Sequence, residues 1–389
     1  MISAWEEYWW NSITGPHQVV TSVAEGLLDK KTVVVQVPSD LPWRHEMRRA
    51  VQSVIKHSTG FNETNVEVID AADDVIDDTE PGQYLLDRFG MYGIKNGYRA
   101  KSGLSIQEYL IKHEVLKDTI VWVKGLQPKQ VAKWLKFCRA YAAPELSLGL
   151  FVLEAHQPID SFDAKNVLTI AYESRVRRYD LQLFNSILLD NQMVYSDIWK
   201  QYISTLAAHL CVTDAEVSEQ FIRVCDFRQE EPLMGLKNVL DCGGFDRRGA
   251  ESASKHILAL LRRNDTNEIA RRVWAAQLQV LYPFIELRRL ETIDVLRLEL
   301  ERCIARERIE QFGVVIDDIK DIELGTLAYI WAQYSDDGCR FINVPDKQFR
   351  SDIRFLRDCR NLLAHGNACS VDMVVRLFGL NIRAYEKTI

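Results

Sequence analysis

A chain of 389 residues, 47% apolar and 26% charged, has the length for two or three domains and the composition of an ordinary globular protein. Its net charge of −7 and pI near 5.7 argue against a protein that grips nucleic acid through its overall field, and leave room for a local basic groove. The eight cysteines form no C-x-x-C pair and no apolar run reaches membrane-spanning length; the sequence therefore predicts reduced, mostly buried thiols, no metal, no membrane and a cytoplasmic location.

In chain order, residues 4–29 read as one helix or a pair, opening on Trp5, Tyr8, Trp9 and Trp10 and breaking at Gly15 and Pro16. TVVVQVPSD, residues 32–40, is a β-branched run closed by turn residues, the pattern of a strand buried on both faces. The helical stretch LPWRHEMRRAVQSVIKH follows. The alternation continues with VEVID (66–70), a helix around 105–116, TIVWVKGL (119–126), a helix over 128–142, LSLGLFVLEA (146–155) and VLTIAYES (167–174). Strands alternating with helices predict a mostly parallel sheet with both faces covered.

Such a sheet invites a nucleotide, because strand ends feeding helix N-termini are anion sites. The phosphate cradle would lie in VPSDLPWRHEM, which holds neither glycine nor lysine; the look-alike at 26–32, with Lys30 and Lys31, precedes the strand. Asp70 and Glu154 stand at strand ends where an acid could polarise a metal, while Lys124 occupies the corresponding end of TIVWVKG. The order of elements over residues 30–180 resembles a P-loop NTPase of the STAND or AAA type with a degenerate site. The reading is an NTPase-like module without a bound cofactor and without NTP hydrolysis. The eight acids and no base over residues 63–80 read as a solvated loop.

Residues 181–265 read as helical. Within them LAAHLCVTDAEVSEQFIR (206–223) has the form of a helix-turn-helix with Thr213 as cap, but Asp214, Glu216 and Glu219 on its second helix would repel phosphates, which argues against DNA. A structural winged-helix or lid-like unit is the expectation. The turn DCGGFDRRGA (241–250) follows no strand and is a connection.

The C-terminal third carries the chemistry. In FLRDCRNLLAHGN, the residues Phe355, Leu356, Cys359, Leu362 and Leu363 recur at helical spacing, and Gly366 marks a helix end beside His365. Arg360, Asn361 and His365 resemble the R-N-x-x-x-H signature of the HEPN superfamily. A charged helix over 290–311, the stretch DIELGTLAYIWAQY (321–334) and a last helix from Ser370, with Met373, Val374, Leu377 and Leu380 on one stripe, supply four helices in the order the resemblance requires. The expected fold class is thus multidomain α/β plus all-α: an NTPase-like sheet domain (1–180), a helical or winged-helix-like middle (181–265) and a HEPN-like helical bundle (266–389).

RNA can be cut without metal when one group moves the proton of the 2′-hydroxyl, another protonates the leaving oxygen, and a cation stabilises the charge building on the phosphate. A histidine titrates in the right range for either proton transfer, and an arginine presents a fixed, always-charged fork. Asn361 can orient the phosphate or the imidazole. A five-residue helical offset turns by roughly 140°, so one copy of the motif makes a poor site unless the helix distorts or a second copy faces it. The resemblance implies an endoribonuclease effector of a prokaryotic conflict system, antiphage defence or toxin, acting on RNA as a homodimer or with a protein partner. The alternative is a non-catalytic scaffold that uses the same domain for dimerisation. In that structural case His365 caps the last carbonyls and Arg360 pairs with an acid near Asp358 or with Asp352.

Overall fold

The β-branched runs of the first half assemble into one five-stranded, all-parallel sheet. The structure, a computed structural model, describes residues 4–59, 65–71, 80–99, 103–141, 143, 145–156, 166–245, 248–249, 255–334, 340–344 and 346–387. By internal contacts the chain divides into two units, Met1–Phe184 with Thr213–Glu216, and Asn185–Val212 with Val217–Ile389.

The first unit opens with helices α1 (Ala4–Ser12) and α2 (Thr14–Leu28). The break falls at Ile13; Gly15 and Pro16 lie in the first turn of α2, where proline's missing N–H removes no helical bond. Strand β1 (Thr32–Gln36) leads to α3 (Arg44–Thr59), then β2 (Asn65–Asp70), α4 (Pro81–Phe89), α5 (Tyr92–Gly97) and α6 (Ile106–Lys112). Next come β3 (Thr119–Leu126), α7 (Pro128–Ala140), β4 (Leu150–Ala155), β5 (Val167–Ala171), α8 (Tyr172–Arg175) and α9 (Arg178–Asp190), which ends in the second unit. The strand expected over 146–155 starts only at Leu150. Leu146–Leu148 is a 3-10 turn, and Gly149 at φ +120° makes a bend that a side chain would strain. Most of the acidic stretch at 63–80 lies outside the described residues.

The sheet order is β2-β3-β4-β1-β5, so β1 lies inside and β2 and β5 are edges. Alternate residues serve opposite faces. Val34, Val121, Val123, Phe151 and Leu153 pack with Leu85, Leu86, Trp134, Leu135 and Phe137 of α4 and α7. The other parity, Val33, Val35, Trp122, Val152 and Glu154, is equally buried and serves the opposite face, where α2 contacts β1 and β5 and α3 contacts β2. The edge strand β2 alternates in exposure instead, as its mixed sequence NVEVID requires.

The second unit is helical: α10 (Asp197–Cys211), α11 (Ala215–Val224), α12 (Pro232–Asp241), α13 (Ile257–Arg262), α14 (Thr266–Val295) and α15 (Arg297–Arg306). A two-residue hairpin, β6 (Glu310–Gln311) and β7 (Val314–Val315), precedes α16 (Leu324–Ile330), α17 (Lys347–Ala364) and α18 (Val371–Gly379). The 30-residue α14 is the spine, with α10 and α17 packed along it. Its Gln277 is buried; the side-chain amide donates to the Tyr202 hydroxyl (3.2 Å) and the Cys369 carbonyl (2.9 Å), while its oxygen accepts the Cys369 N–H (2.6 Å). The charged helix expected over 290–311 is therefore the end of α14 plus α15, divided at Leu296.

Among the described residues of 185–265 there is no strand. One expectation for the middle region needs correction. The cap of α11 is Asp214, whose Oδ1 accepts the Glu216 N–H at 3.1 Å, and not Thr213, whose carbonyl instead accepts the Tyr172 hydroxyl. Val217, Ser218, Phe221 and Ile222 of α11 are buried, while Arg223 is exposed.

Candidate functional site

Two places were marked out by sequence: the C-terminal edge of the sheet and the end of α17. At the sheet edge, β1 runs into residues 37–43 and then the first turn of α3. Glu154, at the end of β4, is wholly buried; it pairs with Arg44 and Arg48 of α3, both at 3.4 Å, and accepts the Trp122 Nε1–H. Arg44 also donates to the carbonyls of Pro38 (3.2 Å) and Ser39 (3.1 Å), which ties down the loop. The Trp43 N–H donates to Glu216 Oε2 at 3.1 Å. The protein's own carboxylates thus hold the arginines and the backbone donor that a phosphate would seek at a helix start. Asp70 is ion-paired with Lys124, so neither predicted strand-end acid lacks a cation. A cleft of about 250 Å³ bordered by Lys30, Lys31, Arg139 and Glu145 opens at the N-terminal ends of β1 and β4, the wrong end for a ligand of an open α/β sheet.

Glu6, His45 and Glu46 bring one possible metal-ligating atom each to within 4.8 Å of one another. His45 Nε2 lies 2.9 Å from Glu6, and Glu46 pairs with Arg49 at 3.5 Å.

At the other place, α17 begins at Asp346, whose Oδ1 accepts the Phe349 N–H (2.8 Å). Phe349, Ile353, Leu356, Cys359 and Leu363 recur at three- and four-residue steps and are buried. The helix closes on His365. The Gly366 N–H donates to the Leu363 carbonyl (3.2 Å) and the Asn367 N–H to the Leu362 carbonyl (2.9 Å), with Gly366 at φ +79°, the paired bonds of a glycine-terminated helix. Trp274 Nε1–H also donates to the Leu363 carbonyl, at 2.7 Å. It is the backbone of this turn, and not the imidazole, that satisfies the last carbonyls. His365 and Asn361 are both exposed.

Arg360 is three-quarters covered, and its Nη2 lies 3.0 Å from Glu323, the residue preceding α16. The partners considered for it from sequence are engaged elsewhere. Asp352 binds Arg376 (3.1 Å) and accepts from the Tyr385 hydroxyl (2.8 Å), and Asp358 pairs with Arg357 (2.8 Å). At about 100° per residue, Arg360 lies on the flank of the buried stripe, while Asn361 and His365 share the solvent face. Within one chain the arginine and the histidine of the motif therefore do not meet on one face. The spacing that picks out Arg360 passes over Arg357, one turn before Asn361 on that solvent face. It also passes over Glu323, whose role depends on a contact between two helices.

Among the described residues, no helix is long and apolar enough to cross a membrane. No family model matches the chain, and no curated protein matches it. Two solved structures are similar to it over most of its length. One is the Aeropyrum pernix ORC2 protein in ADPNP and ADP complexes, 9% identical over 95% of this chain and 94% of that one, with a TM-score of 0.32. The other is Drosophila ORC bound to DNA, 12% identical over 68% of this chain and 66% of that one, with a TM-score of 0.31.

Proposed function

We propose that the chain is a metal-independent endoribonuclease of the HEPN type, an effector of a prokaryotic conflict system whose NTPase-like unit regulates it without turning over nucleotide. The observation that carries this reading is the end of α17, where His365 and Asn361 are exposed and Arg360 is held 3.0 Å from Glu323. His365 moves a proton to or from the 2′-hydroxyl or the leaving oxygen; Arg360 stabilises the charge on the phosphate; Glu323 fixes the guanidinium so that little order is lost on binding. Because the two groups occupy different faces of α17, the full constellation is assembled from two copies across a two-fold axis.

The ion pair of Arg360 with Glu323 also favours a second reading, a scaffold in which that arginine is structural. One set of assays separates the two. The wild-type chain, with chelator present, cleaves single-stranded RNA and leaves untouched the same strand carrying 2′-deoxy sugars. His365→Ala lowers the rate by roughly 10² to 10⁴, the usual worth of one proton-transfer group. Arg360→Lys is also defective, because a point charge does not replace the planar fork. An RNA-inert wild type that remains a dimer establishes the scaffold instead.

A further inference from the structure

The solvent face of α17 has an order that the R-N-x-x-x-H signature does not contain. Lys347, Arg350, Arg354, Arg357 and Asn361 follow one another at three- and four-residue steps, which places them within roughly 80° of arc at 100° per residue. His365 continues the series at the helix end. The opposite face is the buried one; within the stripe Lys347, Arg354 and Asn361 are exposed, and Arg350 and Arg357 are half-buried. In a protein of net charge −7, four cations in line on one helix are a local reversal of sign.

Each step along the stripe advances about 4.5 to 6 Å. A strand lying on it meets a cation at every turn and reaches Asn361 and His365 at its end. The side chains are positioned: Arg354 lies over the Trp331 ring at 5.4 Å, Arg350 donates to the Val344 carbonyl, and Arg357 is ion-paired with Asp358 at 2.8 Å, a partner that a phosphate would displace. Tyr329 and Tyr334, on either side of Trp331 in sequence, are 60% and 58% exposed, and exposed aromatic rings are stacking platforms for bases. A row of cations about one helical turn apart, leading to Asn361 and His365, fits the evenly spaced phosphates of a single-stranded nucleic acid.

We propose that this face of α17 is the track for the phosphate backbone of single-stranded RNA, and that Arg357 is a substrate-binding residue holding the phosphate next to the one at His365. The proposal rests on the ribonuclease reading and extends it to how the substrate is seated. The probe is a fluorescein-labelled 2′-O-methyl RNA, which offers no free hydroxyl for attack, bound to the full chain and followed by anisotropy across a salt series.

The double variant Arg354→Ala/Arg357→Ala is expected to bind at least tenfold more weakly, and to lower the slope of log affinity against log salt by about 1.4, two lost phosphate contacts at about 0.7 each on a single strand. Its circular dichroism spectrum and melting temperature report that α17 is intact, and Lys substitutions at both positions restore the slope. On unmodified RNA the loss is expected in KM more than in kcat. If the wild type cleaves RNA while the double variant keeps full affinity and slope, the track is wrong and the nuclease stands. If the wild type neither binds nor cleaves RNA, both fall. Equal displacement of the probe by polyglutamate and by unlabelled RNA overturns the track in favour of an acidic protein segment.

Discussion

Glu154 and Glu323 each hold arginine, with opposite consequences. Glu154 is fully enclosed and faces Arg44 and Arg48 at 3.4 Å, so removing its charge strands two largely covered cations. Glu154→Gln is expected to cost about 3 kcal/mol in a urea titration, the low end for a broken buried pair because the contacts are long. Glu323 is 30% exposed, and a pair of that kind contributes at most about 1 kcal/mol. Glu323→Gln should therefore leave the denaturation midpoint nearly unchanged and alter RNA cleavage instead; a large stability loss without a change in cleavage would make the pair structural and remove Glu323 from the site. The thiols separate just as sharply. Cys242 is exposed, whereas burial pushes Cys225 up to about 12 and Cys303 up to about 11, and the hydrogen bond shared with Cys369 raises Cys359. In a Cys339→Ser background, a thiol reagent should label Cys242 at once and those three only on unfolding.

The helices differ in how far their sequences specify them. The start of α14 is built from Asp265, whose side chain accepts the Glu268 N–H at 3.2 Å, and from Glu268 itself. Burial works to raise the Glu268 carboxyl, but hydrogen bonds from Arg271 and Arg272 outweigh it and hold the group below its ordinary value of 4.5. A carboxyl depressed on folding adds stability above that ordinary value and loses it as pH falls through the folded one. Glu268→Gln should accordingly narrow the gap between stabilities measured at neutral pH and on the acid side of 4.5, and an unchanged gap would remove the ion pairs from the account. Local signals of this kind were legible in the sequence: Ser370 before α18, Gly366 after α17, and the β-branched runs that became β1, β3 and β4. The signals that misled were also local. Thr213 looked like a cap because it precedes an acid, yet Asp214 reaches the N–H; Leu146 looked like a strand because nothing in its neighbours announces the bend at Gly149. What stayed illegible depended on distant partners. Nothing near Arg360 in sequence points to Glu323, and nothing near Glu154 points to α3.

At the scale of the whole chain, the question is whether one copy suffices. Arg360 sits on the flank of the buried stripe of α17 and His365 on its solvent face, so a single chain offers either group to a phosphate more readily than both. A two-fold axis beside the end of α17 would bring the arginine of one copy toward the histidine of the other, and such an axis creates two equivalent sites. The consequence can be read without a structure of the complex. On the ribonuclease reading Arg360→Lys and His365→Ala should each be severely impaired alone, but a mixed dimer would contain one site with both native groups and one with neither. Random exchange makes half the dimers mixed, each with one of two sites intact, so the mixture should recover about a quarter of the wild-type rate. Recovery should scale with the time allowed for subunits to exchange and should fall away on dilution, as the dimer does. A mixture that remains as inactive as its components, although mass measurements show mixed dimers, would mean that Arg360 and His365 act within one chain; α17 would then have to unwind its last turn on binding RNA.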